Sequence, residues 1–247
     1  LEYSFPRLLR GAGWTICPTP FLFRVVNAGR VLRQLGILRN TRPRRIAARA
    51  AAWTGAGKAA IWLLQGRRAL AAWQTGGLSV EPVTCWDGWV DALWTRWRAN
   101  ASFAVLRDLS TVRTLYPLQD RVQGFVFRRG GRIVGWMSAL STAMRGHKHF
   151  ANLHVGTLMD GVVEPDSLSG AVALASRALE LGGADLLVTN QSHADWVSAF
   201  RAAGYLSASS NYILALSKPL AREIALQPGG FAHMHFTRGD SDGRIHL

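Results

Sequence analysis

The chain has 247 residues, 49% of them hydrophobic and 18% charged, and a formal net charge of +14. So many apolar residues with so few charges exclude a disordered chain, and at ~150 residues per domain the length suits one large domain or two small ones. The charge is uneven: residues 1–80 hold 13 Lys and Arg against one acid, Glu2, while residues 81–247 hold 16 against 14 acids. An anionic partner is therefore an expectation for the first third alone.

Residues 1–26 read as helix, turn and strand. Gly11-Ala12-Gly13 ends a helix. Trp14–Cys17 and Phe21–Val26 are β-prone runs split by Pro18 and Pro20. Residues 27–79 form a basic helical linker, in which arginines alternate with Leu, Ile, Ala and Trp before Gly76-Gly77. Basic residues among Trp and Leu suit a helix on an anionic membrane surface, so residues 27–73 are the candidate contact. A solvated linker covering a groove between domains is the other reading. No specific nucleic-acid motif accompanies the arginines.

Residues 80–220 are a regular α/β run. Trp86, Trp89, Val90, Leu93, Trp94 and Trp97 fall on one side of a helix, a stripe that belongs in a core. Asp108 caps a second helix, Leu109–Leu115. Gly130-Gly131 joins two β-runs into a hairpin. Phe150–Met159 reads as a strand. A helix follows to Gly182-Gly183, with Asp166 as its cap. Asp185–Thr189 is a short central strand. His193–Ala203 is a helix capped by Ser192, and Tyr205–Leu216 is the last strand or strand pair. In the tail, residues 221–247, Phe231–Thr237 alternates like a strand and Arg244–Leu247 returns beside it.

The order helix, helix, hairpin, strand, helix, strand, helix, strand over residues 86–216 resembles the GNAT acyltransferase superfamily. The closest local match is Asp185–Thr189, the helix His193–Ala203, and Phe200-Arg201-Ala202-Ala203-Gly204-Tyr205 where the family commonly has Tyr-x-x-x-Gly-Phe. Leu8–Trp14 mirrors Ala199–Tyr205: helix, Gly turn, aromatic. The resemblance implies an α/β (α+β) fold with a mixed central sheet flanked by helices, preceded by the basic linker. It also implies a tandem protein in which residues 1–26 are the remnant of a preceding domain and the chain is a fragment.

The resemblance further implies acetyl-CoA or another acyl-CoA as co-substrate, and a small-molecule or peptide amine as acceptor. Val155, Gly156 and Thr157 would line the acyl arm. Ser167, Ser169 and Gly170 would receive the diphosphate at a helix start, and Asn190 would close the cofactor site. Only Gly170 matches the family's diphosphate pattern, so the absent half is a second place for that site. His154, His193 and Tyr205 are the catalytic candidates, since Phe200 stands where many family members carry a Tyr hydroxyl. The other reading is a non-catalytic acceptor-binding or scaffold domain.

The histidines show no metal spacing. Arg238-Gly239-Asp240 spells an adhesion tripeptide by chance. Cys17 and Cys85 read as reduced thiols in a cytoplasmic protein, with peripheral contact at the inner membrane surface. No run reaches the ~18–20 apolar residues that a bilayer span needs.

Overall fold

The computed structural model describes residues 4–35, 57, 59–61, 63, 65, 76–118 and 121–240. Its elements in chain order are α1 (Ser4–Gly11), β1 (Thr15–Val25), α2 (Ala28–Gln34), β2 (Leu78–Pro82), α3 (Trp89–Trp97), β3 (Phe103–Ala104), α4 (Leu109–Leu115) and β4 (Val122–Arg129). Next come β5 (Arg132–Ala143), β6 (His154–Val163), α5 (Leu168–Leu181), β7 (Leu186–Asn190), α6 (Ala194–Ala202), β8 (Leu206–Leu216), α7 (Lys218–Leu226) and β9 (Met234–His235). Most of the basic linker, and the expected return strand Arg244–Leu247, lie outside the described residues.

Seven strands form one sheet in the order β2-β4-β5-β6-β7-β1-β8. Every neighbouring pair is antiparallel except β6 and β7, which run parallel. The fold is thus α/β with a mixed sheet. On one face α5 and α6 bury Val172, Ala175 and Phe200 against Met137, Leu158 and Leu187. On the other, α3 and α4 bury the tryptophan stripe against Trp136, Leu140 and Val162. Removing these large side chains from water supplies the main drive for folding, at roughly 25 cal/mol per Å² of apolar surface.

Local chemistry sets the element ends. Asp108 accepts the Thr111 amide at 2.8 Å and starts α4. Gly130 and Gly131 both have positive φ, +54° and +79°, which a two-residue hairpin turn of primed type requires. The chain also repeats one device. The amides of Ala12, Gly13 and Trp14 bond to the carbonyls of Leu8, Arg10 and Leu9. Those of Ala203, Gly204 and Tyr205 bond to Ala199, Arg201 and Phe200 in the same pattern. Gly13 and Gly204 share a positive φ, +82° and +89°. The strands that follow, β1 and β8, pair antiparallel with each other. Residues 15–25, from the segment taken as a domain remnant, therefore form an interior strand of this sheet.

Several expectations need correction. β1 runs unbroken through Pro18 and Pro20. The Pro20 carbonyl accepts the Gln191 amide, so both prolines turn their missing N–H toward the β7 side. There β7 pairs only with Phe21–Val25, and no ladder bond is lost. β6 starts at His154, later than expected, because a bridge between His147 and Ala151 closes a loop first. Asp166 does not cap α5. Pro165 opens a 3-10 turn, and Ser167 takes the cap position without a side-chain bond. Nor does Ser192 cap α6: His193 Nδ1 accepts the Asp195 amide instead. The tail contains α7, unanticipated, with Pro219 in its first turn. The other described residues of the tail form not a long strand but a 3-10 turn, Gly230–His233, the short β9 beside β3, and a second 3-10 turn, Arg238–Asp240.

Candidate functional site

The ladder between β6 and β7 joins only Val155–Thr157 to Leu186–Val188. Just beyond it, Ala139 of β5 faces Leu158 while Ser138 faces Asp160, so Met159 is an extra residue. A bulge bends its strand and frees one side of it. β6 thus leaves β7 and opens a wedge at the carboxyl ends of two parallel strands. Open α/β sheets place ligands at such points.

Residues from distant parts of the chain meet at this wedge. Arg107 Nε lies 3.0 and 2.9 Å from the two Asp160 oxygens, and its Nη2 donates to Asp240 at 2.7 Å. Tyr116 Oη donates to Asp160 at 2.8 Å. His235 Nε2 lies 3.1 Å from the Gly161 carbonyl. That oxygen can only accept, so Nε2 carries the proton and Nδ1 keeps its lone pair. Nδ1 is buried and has no partner, as is Gln191 Oε1. The segment carrying His235 is tied in through Ser192, whose amide donates to Phe236 and whose Oγ accepts the Phe236 amide and donates to Met234.

The electrostatics follow from burial and pairing. Burial raises the Asp160 carboxyl, but Arg107, His235 and Tyr116 together outweigh it and hold it well below the usual carboxylate range. Burial leads Asp240 the other way, upward, against the pull of Arg107. Burial, then the Arg107 charge, push His235 down to about 4. At neutral pH the wedge therefore holds an ionised carboxylate too weakly basic to take a proton, and a neutral imidazole with a free lone pair. His235 Nδ1 can accept a hydrogen bond there, but with its pKa pushed down to about 4 it is no stronger a base than an ordinary carboxylate.

The residues singled out in the sequence are spread over several places. His154 opens β6 and bonds Ser141 Oγ through Nε2 at 2.8 Å. His193 lies beyond the far end of β7, a strand that itself spans roughly 16 Å. Its Nε2 lies 3.1 Å from the Asn100 carbonyl and its Nδ1 is taken by the Asp195 amide, so neither nitrogen is free. It borders the wedge all the same, its ring 6.2 Å from that of His235. Tyr205 is buried in the core, 2.9 Å from Ser176 Oγ, and burial raises its hydroxyl well above the ordinary range. The main chain of Val155, Gly156 and Thr157 is flanked by β5 on one side and β7 on the other; the opening lies just past them. Gly156 answers a steric need, since a Cβ there would stand 2.8 Å from Leu187. Ser167 is buried with Oγ unpartnered, Ser169 is exposed and Gly170 half-buried at the start of α5. Asn190 is buried between the Thr19 carbonyl and Arg238.

Arg107, Tyr116 and His235 were not among the sequence candidates; Asp160 shares its strand with His154, and period-2 alternation alone sets the two on one face. Asp160 alone carried a usable sign, a lone carboxylate in the apolar run Val155–Val163. Among the described residues no group of His, Cys, Asp and Glu could hold a metal ion, and no helix is long and apolar enough to cross a membrane.

No family model matches the chain, and no curated protein matches it. Solved structures do overlap it. Saccharomyces cerevisiae N-myristoyltransferase with bound myristoyl-CoA is 12% identical with a TM-score of 0.44, over 81% of this chain and 48% of that one. A GCN5-related N-acetyltransferase from Anabaena variabilis is 10% identical with a TM-score of 0.47, over 86% of this chain and 43% of that one. Another from Kribbella flavida is 16% identical with a TM-score of 0.42, over 88% and 64%. This chain thus spans about half the length of the yeast enzyme and less than that of the Anabaena protein.

Proposed function

We propose that the chain is an acyl-CoA-dependent N-acyltransferase domain of the GNAT kind, acting on a primary amine of a small molecule or peptide. The observation that carries this is the wedge between β6 and β7, opened by the bulge at Met159. In such chemistry an amine attacks a thioester, freed main-chain N–H groups steady the oxyanion, and a nearby group takes the amine's proton. The main chain of Met159–Gly161 would serve the first task, and His235 Nδ1 would accept a hydrogen bond from the amine and orient it. The orphaned Gln191 Oε1 and His235 Nδ1 fit a polar acyl arm. The diphosphate end fits less well: Asp166 is exposed at the start of α5, and Arg129 Nη2, 3.2 Å from its carbonyl, is the cation found there. The helix–glycine–aromatic unit at both α1 and α6 supports a tandem protein, and Phe5 and Leu8 of α1 are exposed where Trp196 and Ala199 of α6 are buried. Calorimetric titration with acetyl-CoA tests the proposal: saturable heat supports it, and no heat at millimolar ligand overturns catalysis by this chain.

A second reading is a non-catalytic acceptor-binding domain that attaches to an anionic surface through residues 27–73. The tail segment Met234–Asp240 in the wedge favours it, since the segment occupies space a ligand would need. Flotation with anionic and neutral liposomes tests the attachment, and binding indifferent to lipid charge would remove it.

A further inference from the structure

We propose that the free edge of β8 pairs antiparallel with β8 of a second copy of this chain, joining two sheets across a twofold axis. This inference does not depend on acyl transfer.

Among the described residues the sheet has two edge strands, β2 and β8. β2 is protected by ordinary means. It has five residues, carries Glu81 in an ion pair with Arg128, and ends at Pro82. β8 has 11 residues, and from Ala202 to Ser217 the chain holds no charge and no proline. Its interruption is a bulge between Ala208 and Tyr212, opposite Pro20. Natural edges are blunted by brevity, charge, proline or a bulge. Beyond its bulge, Tyr212–Leu216 is as short as β2 but carries neither charge nor proline.

The direction of its free groups can be worked out. The Pro20 carbonyl faces β7, so Thr19 and Cys17 face β8, where their partners are Tyr212 and Leu214. Ile213 and Ala215, which alternate with those partners, turn their main-chain N–H and C=O away from β1. Among the described residues no strand pairs with them. The Ile213 side chain is also 38% exposed, unusual for an isoleucine inside a strand.

The occupant follows from symmetry and charge. Two antiparallel strands about a twofold present the same donors and acceptors to each other. An uncharged strand meets its own copy without repulsion, although the chain as a whole carries +14. β8 already pairs antiparallel with β1, which follows the same helix–glycine–aromatic unit, so the new contact repeats a pairing the fold already makes.

Sedimentation equilibrium on the full chain tests this, with Ile213→Lys and Ile213→Pro as variants. Proline at an outward-facing position removes no bond to β1. The native chain should move from 27.0 kDa toward twice that mass as concentration rises to about 100 μM. Both variants should stay at 27.0 kDa with unchanged circular dichroism. Should the proline variant fail to fold, the lysine variant decides. A native chain that remains monomeric throughout overturns the proposal, as do folded variants that dimerise like it.

Discussion

Arg107 and Asp160 lie 53 residues apart, and the Arg107 guanidinium touches both oxygens of a carboxylate with side chains 2% and 1% exposed. The pair joins the loop before α4 to the bulged end of β6, and the bond to Asp240 draws the tail onto both. A charge removed from water this completely costs several kcal/mol unless it is paired. The contact therefore fixes three distant segments at the wedge.

Arg107→Met should be strongly destabilising, by about 3–5 kcal/mol, because it leaves two buried carboxylates without their cation. Urea unfolding would read the loss as a fall in midpoint. Adding Asp160→Asn should restore part of it, since the remaining group is then neutral. A single variant as stable as the native chain would mean that water reaches the site freely.

Stability should fall as pH drops from 6.5 toward 4. His235 is held neutral, its pKa pushed down to about 4 by burial and by Arg107, while the unfolded imidazole titrates near 6.5. Over that window the unfolded state binds the extra proton, so its contribution is present above 6.5 and declines as pH falls, by about 3 kcal/mol in all. His235→Gln keeps a donor for Gly161 and should flatten the slope across this window in pH-dependent denaturation. Asp160 acts lower, where the usual carboxylate range begins.

Tyr205→Phe should cost about 1 kcal/mol and leave any acyl-transfer rate unchanged. Ser176 Oγ keeps its bond to the Val172 carbonyl, so no buried group is orphaned. A rate that falls with unchanged thermal stability would restore Tyr205 as an acid.

Gly156→Val should destabilise by about 1–3 kcal/mol through overpacking. Leu187 and Leu179 already close the space a Cβ would take, at 2.8 and 3.2 Å. Calorimetric melting would show it, and an unchanged Tm would mean that α5 can shift outward.

Ala151→Gly should stabilise the chain by roughly 1 kcal/mol. Ala151 holds a φ of +48°, where a Cβ crowds the backbone and glycine does not. The gain should appear as a higher urea midpoint with unchanged m.

Much of the fold could be read from residue order. Asp108 announced α4, Gly130-Gly131 the hairpin, and the spacing of Trp86, Val90, Leu93 and Trp97 a buried helix face. These features depend on neighbours within a few residues, where capping, turn geometry and periodicity act. The site could not be read that way. Arg107, Asp160 and His235 mean little singly, and their roles come from a bulge at Met159 and a tail that returns across the sheet. Pro18 and Pro20 looked like breaks for the same reason. Nothing local shows that β7 ends before it could ask for their missing N–H groups. The sequence by itself determined most of the helices, strands and turns of residues 80–216, and the concentration of charge in the first third. Only the tertiary structure decided which strands separate, which charges are buried together and which edge is left open, because burial and pairing depend on residues far apart in the chain.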